Sequence, residues 1–237
     1  MTVAVAAVGS ILAALSSCGG PGGAGGDHKA RGDARPGHTK PAADPTRIPD
    51  VGDRLQRRIP AESGQVVAVY GADRNSADAE VVLYTKRGKV WERQRSWAAH
   101  NGKKGWTTHH HNGDRRSPVG VFTLSDAGGV LPDPGAKLPY TRDPAFAAPH
   151  WWAKSHWHDF DYVIAIDYNR VKGTPPNNPA RPEGDAKGGS IWLHMDHGSG
   201  TSACVSMSKQ DMEYLLRVLD PHQHPVVVMG DRADLEA

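Results

Sequence analysis

The chain has 237 residues, 38% of them hydrophobic and 23% charged, enough for one domain with a sizeable core and a tail. Its 28 Lys and Arg against 26 Asp and Glu leave a formal charge of +2. With no long basic run and no interleaved aromatic pattern, that balance excludes a nucleic-acid binder. The first 17 residues, MTVAVAAVGSILAALSS, carry no charged side chain. This apolar stretch is shorter than the roughly 20 residues a spanning helix needs and has the character of an export signal's hydrophobic region, although the usual basic opening is absent.

That stretch ends in Leu15-Ser16-Ser17-Cys18, which resembles the lipobox of bacterial lipoproteins. The resemblance implies that Cys18 carries lipid and starts the mature chain on the outer face of the bacterial cytoplasmic membrane. Residues 18–50 are rich in Gly, Pro and charge and nearly devoid of apolar side chains, so they are expected to form a disordered tether. The folded domain is expected over 51–237.

From there the pattern is that of strands. QVVAVYG (65–71) and EVVLYTK (80–86) are β-branched and aromatic runs bounded by turn residues, and KVWERQRSW (89–97) alternates apolar and polar. VGVFTL (119–124), YVIAIDY (162–168), SIWLHM (190–195) and HPVVVMG (224–230) follow. One segment reads as a helix, 208–220, with Met212, Leu215, Leu216 and Leu219 on one face, Ser208 as N-cap and Pro221 as stop. The expected fold is mainly β, a sandwich or barrel with one principal helix.

Cys204 and Cys18 are the only cysteines. A lipidated Cys18 leaves Cys204 without an intramolecular partner, as a free thiol in an exported protein. Cys204 lies among Thr201, Ser202, Ala203 and Ser206 rather than apolar residues. Placed just ahead of a helix N-terminus, it is expected to have a lowered pKa. His194, at the end of an apolar strand, and His197, in the loop, are the nearest bases. The histidines of HHH (109–111) and HWH (156–158), with His194 and Asp196, are alternative zinc ligands, but they follow no metallopeptidase spacing. Trp151, Trp152 and Trp157 suit either a groove or ordinary packing.

GGSIWLHMDHGSGTSACVSMS, together with the upstream NGDRRSPVGVFTL (112–124), resembles the L,D-transpeptidase (YkuD-type) catalytic domain. That family has a strand-borne His, a variable loop, a Ser-His-Gly-Cys-type turn and a preceding Gly-Asp-x-x-(Thr/Ser)-Pro-x-Gly-x-(Phe/Tyr) stretch. Ser202 and Ala203 stand where the family has His and Gly, and Ser206 where it often has Arg, which marks a divergent subgroup.

The resemblance implies a cysteine acyltransferase acting on peptidoglycan stem peptides, with Cys204 as nucleophile and His194 as base. The Ala203 and Cys204 amides are the implied oxyanion donors, and Asp196, Asp167 or a backbone carbonyl orients His194. It implies no metal or other cofactor, and a monomer that meets the membrane through its lipid. Two alternatives stand beside it: a zinc-dependent wall peptidase or amidase, and a non-catalytic wall lipoprotein with a decayed site.

Overall fold

The computed structural model describes residues 44–237. The signal, Cys18 and most of the tether lie outside the described residues. The strands are β1 (Gln65–Gly71), β2 (Asp78–Arg87), β3 (Val90–His100), β4 (Trp106–Thr107), β5 (Ser117–Pro118), β6 (Gly120–Gly129), β7 (Tyr140–Arg142), β8 (Val163–Ile166), β9 (Trp192–Met195), β10 (Val205–Met207) and β11 (Val226–Asp231). The α-helices are α1 (Asp53–Gln56), α2 (Lys209–Val218) and α3 (Arg232–Glu236).

The main sheet runs β11-β1-β2-β3-β10-β9-β8-β6-β7, and β11 also pairs with β6. Eight strands therefore close on themselves, with β7 appended to β6. Strand β6 makes the closure by pairing Gly120–Thr123 with β11 and Leu124–Gly128 with β8. A closed sheet leaves no long open edge for another chain to pair with.

The continuous apolar runs of β1 and β11 have a direct cause, because both of their faces are covered. Val67, Val69, Val81, Leu83, Val227 and Met229 point into one cluster, together with Met212, Leu215 and Leu216 of α2. Their strand neighbours Val66, Ala68, Val82, Val226 and Val228 pack on the other side against Leu55 and Leu235, from α1 and α3. Helix α2 starts where expected, the Ser208 hydroxyl accepting from Asp211 N–H, but it ends at Val218. Leu219 is already extended.

Two expectations need correction. The packed domain begins ahead of Val51. Ile48 is 1% exposed within the second cluster, and the Pro45 carbonyl accepts from Trp91 N–H. Residues 44–50 contain few apolar side chains, but one of them is anchored, which composition does not reveal. Nor does Cys204 stand directly ahead of the helix, because a further segment intervenes. It is strand β10, inserted between β3 and β9, and at three residues it is too short to show a period.

Candidate active site

Strands β9 and β10 run parallel, with Leu193 opposite Val205 and His194 opposite Ser206. Strand β8 flanks the other side, Val163 facing His194. His194 is thus fixed on a fully paired strand, and Cys204 sits immediately ahead of β10. His194, Cys204, Thr201 and Ser202 line one cleft of about 100 Å³, together with Lys103, Trp152, His156, Asp159, Phe160 and His197.

The tautomer of His194 follows from its partner. Nδ1 lies 2.7 Å from the Met195 carbonyl, which can only accept, so Nδ1 carries the proton and Nε2 keeps its lone pair. Burial holds the imidazole pKa below its ordinary value, against the opposing pull of that hydrogen bond and of Asp159. The orienting group is therefore a backbone carbonyl, not Asp196 or Asp167.

Asp196 is engaged elsewhere. Its Oδ1 accepts from the Ser206 hydroxyl at 2.6 Å and lies 2.8 Å from His100 Nδ1, while its Oδ2 accepts from Gly198 N–H at 2.9 Å. Burial alone would raise this carboxyl, but those hydrogen bonds hold it below the usual range. Asp196 thus staples the 196–204 loop to β3 and β10. Asp167 accepts from Thr123 and Ser125 hydroxyls and pairs with Arg170.

The thiol departs from expectation. Cys204 Sγ accepts from Trp192 N–H at 3.4 Å and donates to the Ser190 carbonyl at 3.5 Å. Burial, with Asp159 adding to it, pushes the thiol up to about 12, and the Trp192 N–H offsets this only in part. The expected lowering fails because β10 separates the cysteine from the N-cap at Ser208, and the field of a helix end fades within about a turn. Cys204 and His194 therefore rest as a neutral thiol and a neutral imidazole.

The turn before the cysteine is held by the upstream motif. Ser117, fully buried in β5, accepts from Gly102 N–H at 2.9 Å and donates to the Ala203 carbonyl at 2.7 Å. Thr201 Oγ1 donates to the Cys204 carbonyl, also at 2.7 Å. The Ala203 and Cys204 amides have no backbone acceptor among the described residues. Ser117 is a positioning residue that residue-by-residue reading passed over. Its signal lay in the Ser-Pro of the motif, whose purpose shows only once β5 lies beneath the turn.

The histidines separate into groups. His110 pairs with Asp114, and His158 with Asp161. His156, Asp159 and His197 come together in the cleft wall, their ligand atoms within 4.8 Å of one another. Of the tryptophans, Trp152 lines the cleft and Trp151 stands 84% exposed.

No curated protein matches the chain. Among solved structures it is similar to Bd1075 of Bdellovibrio bacteriovorus and to the helical cell shape determining protein Pgp2 of Campylobacter jejuni. Each is 15% identical with a TM-score of 0.42, and the matches cover 78% and 73% of this chain and 52% and 50% of theirs. The chain thus spans about half the length of those structures. Residues 73–228 match the model of the YkuD family, the L,D-transpeptidase catalytic domain. The chain belongs to the YkuD family of L,D-transpeptidase catalytic domains.

Proposed function

We propose that the protein is an L,D-transpeptidase that cross-links peptidoglycan through a Cys204 thioester. The observation that supports this most is the tautomer of His194: with Nδ1–H spent on Met195, Nε2 is its one basic nitrogen, and His194 and Cys204 line the same cleft. Both groups rest neutral, so the proton moves as the bond forms. His194 Nε2 takes the thiol proton while Sγ attacks the carbonyl of the third stem residue, at its L-to-D bond. The Ala203 and Cys204 amides receive the developing oxyanion. The C–N bond breaks, His194 returns the proton to the departing amine, and D-alanine leaves. A side-chain amine of a second stem then attacks the thioester. It passes its proton to His194, and the amide cross-link frees the thiol.

The same reading places the mature chain on the outer face of the cytoplasmic membrane, held through lipidated Cys18 and acting as a monomer. Incubation with a stem tetrapeptide, followed by chromatography and mass analysis, tests the activity. Release of D-alanine with a cross-linked dimer is expected. D-alanine with only the tripeptide would mean water is the acceptor, and no D-alanine would favour a wall-associated protein without catalysis.

A further inference from the structure

Three side chains in the cleft wall take no direct part in the cysteine chemistry. His156 ends a short 3-10 turn (Lys154–His156), and Asp159 lies three residues on. The Asp159 carbonyl accepts from Met195 N–H at 2.9 Å, which ties this segment to the end of β9. His197 comes from the loop just beyond that end. Asp159 Oδ2 lies 2.9 Å from His156 Nδ1 and 3.1 Å from His197 Nδ1, and the two rings approach to 4.1 Å between centroids.

The side chains of Asp159 and His197 are each only 4% exposed. Yet neither ring nitrogen of His197 makes a hydrogen bond among the described residues. The Nδ1 of His197 is close to the carboxylate but wrongly aimed to donate to it. Buried imidazole nitrogens without partners are rare and call for an occupant. Two imidazole nitrogens and a carboxylate oxygen this close together are the donor set of a late first-row divalent cation, zinc above all. In a tetrahedral zinc site with bonds of about 2.0–2.1 Å, donor atoms stand roughly 3.3 Å apart. The two separations here fall just inside that, so a small outward movement admits the ion.

We propose that His156, Asp159 and His197 form a divalent-cation site in the wall of the cysteine cleft, selective for zinc-class ions. Three protein ligands leave a fourth position for water or for a carboxylate of the bound peptide. The histidine of HWH that takes part is His156. His158 is turned to Asp161 and lies 75% exposed. The site is independent of the cysteine reading, because none of its ligands is Cys204 or His194.

The test is titration of the purified, chelator-treated full-length protein with Zn²⁺ by calorimetry, with a thermal melt alongside. Wild type, Cys204→Ser and His158→Ala should each bind one equivalent and gain about 5 °C in Tm at saturation. Affinity should fall at least about 10-fold in His156→Ala and in His197→Ala. His156 is partly exposed, so its variant keeps the test decisive if His197→Ala fails to fold. Absence of binding by wild type would overturn the proposal. So would unchanged affinity in His156→Ala, or loss of binding in Cys204→Ser.

Discussion

Replacing Ser117 with alanine removes a single buried hydroxyl and disturbs the turn that carries Cys204. The hydroxyl is the acceptor for Gly102 N–H and the 2.7 Å donor to the Ala203 carbonyl. It also reaches the Cys204 carbonyl at 3.3 Å, but Thr201 covers that oxygen at 2.7 Å. Two buried backbone groups, Gly102 N–H and Ala203 C=O, therefore lose this partner. Each orphaned group costs about 1–3 kcal/mol, so Ser117→Ala should lose about 2–6 kcal/mol. For a domain of this size that corresponds to a fall in Tm of roughly 5–20 °C. The Ala203 and Cys204 amides proposed to receive the oxyanion sit on the same turn, so on that proposal a loosened turn should slow acylation by about 10–100-fold. Ser117→Thr, the alternative in the family motif, keeps the hydroxyl and should retain most of both properties. Differential scanning calorimetry and single-turnover acylation measure the two effects. A Tm for Ser117→Ala within about 1 °C of wild type would refute the reasoning.

Alkylation of Cys204 by iodoacetamide should keep rising from pH 7 to pH 10 without a plateau, because the thiol is pushed up to about 12. A plateau below pH 8 would mean a preformed thiolate. The His194 pKa lies below its ordinary 6.5, so the neutral form contributes stability fully above that value. That contribution is lost as pH falls through the lowered pKa, and acid titrations of wild type and His194→Gln should diverge only there. A chain starting at Asp44 should fold, whereas one starting at Val51 loses Ile48 and should be about 1.5–3 kcal/mol less stable; equal denaturation midpoints would contradict this. Asp196→Ala frees the Ser206 and His100 contacts and should cost about 2–4 kcal/mol, which urea unfolding would show. Cys18→Ser should move the protein out of the membrane fraction, and unchanged fractionation and mass would rule out lipidation.

The strands legible in the sequence are those long enough to show a pattern. QVVAVYG is β1 to the residue, and the helix over Met212–Leu216 announces itself by its apolar spacing. β4, β5, β7 and β10 have two or three residues each, fewer than any period requires, and they form only because neighbouring strands are already in place. The site divides in the same way. His194 and Cys204 were readable from a strand end and a small-residue turn. The pKa of Cys204 was not, because it depends on burial under residues distant in sequence. Nor was the role of Asp196, which looks like a partner for His194 but answers instead to His100, a residue 96 positions away in the chain. His156, Asp159 and His197 meet only because the 150s loop folds over the end of β9.

The central claim, that Cys204 is acylated with His194 as its base, is tested most directly by intact-mass analysis after incubation with a stem tetrapeptide. Wild type should gain the mass of the tripeptide acyl group, on the peptide that contains Cys204. Cys204→Ser should gain nothing. His194→Ala should acylate about 10²–10⁴-fold more slowly, and His197→Ala much less so. An adduct that persists in Cys204→Ser, or an equal loss for His194→Ala and His197→Ala, would contradict the account.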